Sequence, residues 1–211
     1  MCQMVMAFRI NKVFKSLQGE GPAIGAPATF IRFAGCNLCC TYCDTDHEPG
    51  NELQLIEIIN HVKSGPSKVV LTGGEPLLAS AELIPLAKAI IETGRSVDIE
   101  TNGTISPPPE LPALIDNYVI SSKLSNSGNP AASRKLASEL PPGPLKFVVD
   151  DVSDLQEVQQ IAATLPGREI IIMPMGTDPQ TMITKMKSLC AVAELHGWRL
   201  LPRLQVLLHL E

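Results

Sequence analysis

The chain alternates between two hydrophobic periods. Residues 8–14 set Phe8, Ile10 and, less cleanly, Val13 between polar neighbours, the period of two that predicts a strand. Residues 16–22 hold two glycines and a proline and predict a loop. Residues 28–34 are β-rich. Residues 53–62 space Leu55, Ile56, Ile58, Ile59 and Val62 as a helix would. A short buried strand follows at 68–71, then a helix at about 80–92 stopped by Gly94, and a strand at 96–100. Pro107, Pro108 and Pro109 break the chain before a short helix near 110–115. Beyond them the pattern predicts a strand at 118–120, a helix at about 130–139 closed by Pro141-Pro142-Gly143, and a strand at 145–149. The helix expected at 153–165 has Ser153 placed as N-cap and Gln156 as its capping-box partner. A strand at 169–173, the longest helical pattern at 180–196 and a β-like stretch at 199–209 complete the chain.

Strands that alternate with helices through short links predict parallel pairing and right-handed crossovers. About six such units are visible, too few for a closed eight-unit barrel. Polar, glycine-containing motifs recur just after the expected strand ends, at 72–76, 101–104, 121–123 and 173–176. Parallel α/β folds build their sites at the carboxyl ends of strands. The expectation is therefore an α/β chain forming one domain over residues 1–211, an open parallel β/α barrel of about six strands with one shared rim.

Composition narrows the function. With 211 residues, 45% hydrophobic, the chain can bury a sizeable core. Aromatic residues make up only 4%, so aliphatic side chains must fill it. A net charge of −5 without a basic run argues against nucleic acid as a partner. No apolar segment reaches transmembrane length, and the first residues lack the flank and length of a leader, so no membrane association and a cytoplasmic, reducing setting are expected. Cys2 and Cys190 are isolated; a surface thiol and a buried small apolar residue are the respective expectations.

Four of the six cysteines fall at positions 36, 39, 40 and 43. Cys36, Cys40 and Cys43 have the spacing C-x3-C-x2-C, and such short spacings let thiolates converge on a soft metal centre. Four readings compete. Structural zinc normally takes four protein ligands in two pairs; Cys36/Cys39 and Cys40/Cys43 could be nested pairs, but the adjacent Cys39 and Cys40 point opposite ways in extended chain, and no second pair follows. A disulfide framework lacks any sign of secretion. A catalytic thiol lacks a histidine identifiable by position. Three thiolates on a four-iron cluster would leave one iron open, and this reading leads if other stretches supply that iron's ligand. Two further features suggest a small anionic ligand. Arg32 is the one charge in an apolar strand and needs a partner or a ligand; its fork matches a carboxylate. Gln18 and Glu20 give the first loop an amide and a carboxylate for a polar heterocycle. A structural salt bridge and an ordinary turn are the plainer accounts.

The cysteine spacing, with Tyr42 before the last cysteine, resembles the signature of radical S-adenosylmethionine (SAM) enzymes, and Gly73-Gly74-Glu75-Pro76 is similar to their glycine-rich element. In that superfamily the open iron of a [4Fe–4S] cluster chelates SAM, whose reductive cleavage yields a 5′-deoxyadenosyl radical. Cys39 is then a bystander. More specifically, Leu17-Gln18-Gly19-Glu20-Gly21, Arg32, Gly35-Cys36 and Cys43-Asp44-Thr45 resemble the opening of the 7-carboxy-7-deazaguanine synthase family. The similarity continues through Gly73 to Pro76, Glu100 to Thr104 and Ser121 to Lys123, and extends to Met173 to Gly176.

The resemblance implies a radical SAM core fold and a carbon–nitrogen lyase of queuosine and 7-deazapurine biosynthesis. Its reaction is ring contraction of 6-carboxy-5,6,7,8-tetrahydropterin to 7-carboxy-7-deazaguanine with release of ammonia. It implies that Leu17, Gln18, Gly19, Glu20, Arg32 and Thr101 hold the pterin, with Gln205 and Glu211 as further contacts. Cys36, Cys40 and Cys43 would hold the cluster, and Thr45 would hold Mg²⁺. Tyr42, Cys43, Asp44, Gly73, Gly74, Glu75, Gly103, Ser121, Ser122 and Lys123 would hold SAM, with Met173, Pro174, Met175 and Gly176 beside them. No catalytic side chain is implied beyond Glu20 as a candidate. A flavodoxin or ferredoxin would be the electron donor and the assembly a homodimer. The chain departs from the family in having Ser122 where a proline is expected and Gln205 where a histidine is expected. A glycyl-radical-enzyme activating protein and a non-enzymatic zinc module are the rival functions.

Overall fold

The computed structural model describes residues 6–210; Cys2 and Glu211, for which the sequence raised expectations, lie outside the described residues. β1 (Ala7–Leu17) lies antiparallel between β2 (Pro27–Phe33) and the short edge strand β3 (Asn51–Gln54). From β2 onward every pairing is parallel and each strand lies beside the one before it: β4 (Lys68–Gly73), β5 (Ser96–Thr101), β6 (Asn117–Ser121), β7 (Leu145–Val149), β8 (Ile170–Pro174) and the two-residue β9 (Arg199–Leu200). A sheet wound in one direction without reversal is the layout of a barrel, here left open between β3 and β9. The expected partial parallel barrel is therefore the fold.

The outer face is covered by α1 (Leu55–Lys63), α2 (Ser80–Ile91), α3 (Leu155–Thr164) and α4 (Pro179–His196), while α5 (Leu204–Leu208) is a short terminal helix. Two cores result. One sits under β1, β2, β4 and β5 against α1 and α2, and the other under β6 to β8 against α3 and α4. In α2, Leu83, Leu86 and Ile90 are all fully buried. Each such side chain contributes about 1.5–3 kcal/mol, which outweighs the roughly 3 kcal/mol cost of a proline within a helix and explains why α2 tolerates Pro85. α4 starts where Asp178 accepts the Thr181 N–H at 2.7 Å and stops at the left-handed Gly197. No helix among the described residues is long and apolar enough to cross a membrane.

Several local expectations are corrected. Residues 53 and 54 belong to β3, because their backbone pairs with Phe8 and Ala7 of β1. The segment near 110–115 is a single 3-10 turn, Leu111–Leu114. Residues 130–139 form turns rather than a helix: the Ala137 N–H bonds the Gly103 carbonyl at 2.9 Å, and Leu136 and Leu140 fold back onto Gly103. Ser153 is not an N-cap; Asp151 accepts the Ser153 N–H at 2.6 Å and starts a 3-10 turn, Val152–Asp154, before α3. Of the stretch 199–209, Arg199 and Leu200 form β9, but residues 204–208 are helical, the Leu204 N–H bonding the Gly19 carbonyl at 2.9 Å. Cys190 is exposed on α4, not buried.

The ends of β2 and β4 meet with no room for a side chain. A Cβ on Gly74 would lie 1.9 Å from the Gly35 carbonyl oxygen, and one on Gly73 would lie 2.3 Å from that of Phe33. Gly73 also has φ +137°, a conformation open to glycine. The bonds Gly74 N–H to Phe33 O (3.1 Å) and Glu75 N–H to Gly35 O (3.0 Å) hold the two ends together. We expect Gly74→Ala to lower stability by about 1–3 kcal/mol, the usual cost of overpacking. Urea unfolding measures this, and an unshifted midpoint would show that these strand ends do not touch.

Candidate active site

Period-two alternation gives the sheet two different faces. In β2, Ile31 and Phe33 enter the outer core while Phe30 and Arg32 face inward; in β7, Phe147 and Val149 go out while Lys146 and Val148 go in. Thr72 of β4 and Glu100 of β5 take the same inward layer, joined by a 2.8 Å hydrogen bond from the Thr72 hydroxyl to the carboxylate. Below them Lys68, Asp98 and Asn117 close the barrel floor, with Lys68 and Asp98 2.7 Å apart. Above them is a cavity of about 360 Å³. The 17–20 loop, the ends of β2, β4, β5, β6 and β7, the cysteine loop and the C-terminal segment all line it.

Cys36, Cys40 and Cys43 line this cavity, whereas Cys39 is exposed and does not. The loop is held from both sides. The Asn37 amide donates to the Thr104 hydroxyl at 2.8 Å and accepts from Asn102 at 2.9 Å. Opposite, Asn129 accepts the Cys39 N–H at 2.8 Å and donates to Cys40 Sγ at 3.2 Å. The Leu38 N–H donates to Cys36 Sγ at 3.4 Å. Burial pushes the Cys36 and Cys40 thiols up; neighbouring thiols add to this, and the Lys123 charge opposes it. Among the described residues, no three Cys, His, Asp or Glu side chains converge closely enough to hold a single ion. A multi-iron cluster takes one thiolate at each corner and does not require convergence on one point. Three thiols around one cavity, beside the buried and unpartnered Tyr42 hydroxyl, fit such a group.

The rest of the cavity wall is charged. Arg32 lies over the Phe14 ring at 4.9 Å, and Phe14 stacks on Phe30 at 5.0 Å. Among the described residues no carboxylate pairs with Arg32. Glu20, in contrast, is surrounded. Its carboxylate accepts from Gln205 Nε2 at 2.7 Å and Arg203 Nε at 3.3 Å, and pairs with Lys146. Arg203 also pairs with Asp44 and donates to the Gly176 carbonyl at 2.8 Å. Burial raises the Glu20 pKa, but the Lys146 and Arg203 charges and the hydrogen bonds from Lys146 and Gln205 outweigh it, and the net value is lowered to about 2. Lys146 and Arg203 are pushed up in turn: burial alone would lower each, and Glu20 reverses it. Lys123 donates to the Ser121 hydroxyl at 2.7 Å; burial and the Lys146 charge lower its pKa.

Of the residues expected at a site, Leu17, Gln18, Gly19, Glu20, Arg32, Thr101 and Gln205 line the cavity, as do Tyr42, Cys43, Asp44, Thr45, Gly73, Gly74, Ser121 and Lys123. Gln18 acts partly as an internal tie, donating to Glu100 at 2.9 Å and accepting the Glu20 N–H at 3.1 Å. Gly19 packs closely on the Gln205 side chain, since a Cβ there would lie 1.9 Å from its amide oxygen. Glu75, Gly103, Ser122, Met173, Pro174, Met175 and Gly176 do not line the cavity. The Glu75 carboxylate is spent within the protein on the Thr101 hydroxyl (2.8 Å), the Asn102 N–H (2.7 Å) and the Leu77 N–H (3.0 Å). Gly103 is set by packing, since a Cβ would meet Ile120 at 2.6 Å. Ser122 and Met173 are buried, and Gly176 acts through its carbonyl on Arg203.

Sequence reasoning missed Glu100, Lys146, Arg203, Asn37 and Asn129 as parts of this site. Lys146 carried the same signal as Arg32, a lone charge in an apolar strand. Arg203 carried none, because its partners are distant in sequence.

A radical SAM superfamily model matches residues 30–122. The 7-carboxy-7-deazaguanine synthase of Pyrobaculum aerophilum is 38% identical over 208 residues, covering 94% of this chain and 93% of that protein. The enzyme of the same name from Methanospirillum hungatei is 38% identical over 185 residues, covering 85% and 78%. Among solved structures, QueE from Escherichia coli superposes with a TM-score of 0.76 at 26% identity, covering 94% of this chain and 95% of that one.

The depressed Glu20 pKa has a measurable consequence. Its stabilisation is full above the ordinary value of 4.5 and is lost as pH falls toward about 2. Glu20→Gln should flatten the pH dependence of stability across that window. It should also cost about 3–5 kcal/mol at neutral pH, because Lys146 loses its buried anion. Urea unfolding of the metal-free chain at several pH values reads both, and an unchanged acid slope would contradict the network.

Proposed function

We infer the function from a chain that belongs to the 7-carboxy-7-deazaguanine synthase family of radical SAM enzymes: it contracts the ring of 6-carboxy-5,6,7,8-tetrahydropterin to 7-carboxy-7-deazaguanine and releases ammonia. The observation that carries the substrate's place in the cavity is Arg32. It is a cation shelved on an aromatic ring and without a carboxylate partner among the described residues, in the cavity that also holds the three cysteines. A guanidinium fork suits a carboxylate, so Arg32 binds the substrate's carboxylate. The donor-rich aminopyrimidinone edge would be read by an acceptor, the Glu100 carboxylate, which lines the cavity. Glu20 is already paired and held ionised, so it anchors the loop and the C-terminal segment and does not donate a proton at neutral pH.

Cys36, Cys40 and Cys43 would hold the [4Fe–4S] cluster. Tyr42, Asp44, Ser121 and Lys123 would face SAM, with Lys123, which lacks a carboxylate partner among the described residues, meeting its carboxylate. When bound, cluster and SAM together supply the hydrogen-abstracting radical. The residues around them orient the substrate and exclude water, with α5 and Leu210 forming part of the wall. Thr45 places a hydroxyl on the cavity wall, where Mg²⁺ could take it and fill its remaining positions with water and substrate oxygens. All described elements hang on one sheet, which supports one radical SAM core domain over residues 1–211. A reducing, cytoplasmic setting suits the free thiols. A flavodoxin or ferredoxin as electron donor and a homodimer complete the proposal.

A glycyl-radical activating role would need room for a protein backbone. A cavity of about 360 Å³ is within the size range of small-molecule sites. Anaerobically reconstituted protein given carboxytetrahydropterin, SAM, Mg²⁺ and a reductant should release the deazaguanine product; hydrogen abstraction from a protein glycine alone would refute the assignment. Cys39→Ser should keep the iron, while Cys36→Ser, Cys40→Ser and Cys43→Ser should lose it, as counted by iron and sulfide analysis. Arg32→Ala should raise KM for the pterin about 10–100-fold, the worth of one charged hydrogen-bonded contact, while SAM cleavage continues. An unchanged KM would remove Arg32 from the site.

A further inference from the structure

Cys39 and Cys40 are adjacent, and only one of them lines the cavity. The group that separates them is Asn129. Its Oδ1 accepts the Cys39 N–H at 2.8 Å, fixing the peptide with the Cys39 side chain exposed. Its Nδ2 donates to Cys40 Sγ at 3.2 Å. Asn129 is rigidly presented. It follows a 3-10 turn, Ser125–Ser127, tied to β7 by the bond from Asn126 Nδ2 to the Val148 carbonyl (3.0 Å) and to α3 by the bond from the Ser125 N–H to Glu157 (2.7 Å). The turn also touches the cysteine loop directly: the Thr41 N–H bonds the Ser127 carbonyl at 3.0 Å. At Gly128 a Cβ would lie 2.7 Å from Thr41 Cγ2. One amide thus holds both the loop backbone and one sulfur.

We propose that Asn129 is a positioning residue that selects Cys40 over Cys39 as the cluster ligand and, through its N–H···S bond, raises the reduction potential of the cluster. The inference rests on the assignment of Cys36, Cys40 and Cys43 as ligands. The physical reason is charge. Reduction adds an electron that spreads onto the thiolate sulfurs, and a hydrogen bond to one of them stabilises the reduced form more than the oxidised form. Removing the donor makes the cluster harder to reduce and slows delivery of the electron on which SAM cleavage depends.

The test begins with wild-type protein reconstituted anaerobically, its iron and sulfide counted. A wild-type chain that takes up no four-iron cluster would overturn the ligand assignment and this inference with it. Asn129→Leu has a similar volume and no hydrogen-bonding group. It is expected to bind the cluster at wild-type stoichiometry and to show a more negative midpoint in an EPR-monitored redox titration. Full iron with an unshifted midpoint would overturn the inference and leave the ligand assignment standing. If Asn129→Leu takes up no iron, the wild-type holoenzyme decides. Labelling asparagine side chains with nitrogen-15 should produce a nitrogen coupling in the HYSCORE spectrum of the reduced cluster, and Asn129→Asp, which keeps the acceptor and loses the donor, should abolish it. A labelled wild-type spectrum without that coupling would overturn the proposal.

Discussion

The contact between the ends of β2 and β4 is the constraint on which the site depends. Two backbones approach there at distances that exclude any Cβ. The cysteine loop leaves β2 at this point, and Glu75 leaves β4 at the same point. Because Glu75 then binds the Thr101 hydroxyl and the Asn102 N–H, it carries the constraint across to β5. Asn102 returns it to the cysteine loop through Asn37. Three strand ends and one loop are thereby locked into a single arrangement. Glycine at 73 and 74 serves backbone proximity, and the buried carboxylate at 75 serves scaffolding.

Above this scaffold the charges fall into two groups. Glu20, Lys146, Arg203 and Asp44 satisfy one another and tie the first loop to the C-terminal segment on the cavity wall. Arg32 and Lys123 have no carboxylate partner among the described residues. In a barrel interior, paired charges set shape and unpaired ones await a ligand. The two unpaired cations match the two carboxylates that the family's chemistry brings to the site, one on the pterin and one on SAM. The thiols lie on the same cavity, so the proposed cluster ligands and the unpaired cations share one small volume.

The sequence by itself determined the outer architecture. Apolar periodicity found the strands of the parallel sheet and helices α1 to α4, because a residue buried against a neighbouring layer must be apolar wherever that layer lies. The cysteine spacing, the Gly-Gly pair and the lone charge at Arg32 were legible for a similar reason: each breaks a local rule at an identifiable position. Residues 130–139 misled, since Leu136, with Leu140 just beyond, folds back onto Gly103 rather than forming one helical face. Lys146 breaks the same rule as Arg32, and recognising it required only that the two be read alike.

Tertiary structure alone decided which polar groups face one another. Glu20 and Arg203 are far apart in the chain, as are Cys40 and Asn129, and no local pattern encodes such pairs. A hydrogen bond depends on distance and angle in space, whereas periodicity records only which side of its own element a residue occupies. For that reason the sequence could set Cys39 aside by spacing and resemblance but could not name Asn129 as the group that holds its peptide. It could mark Glu75 as part of a motif but could not say that its carboxylate is spent within the protein.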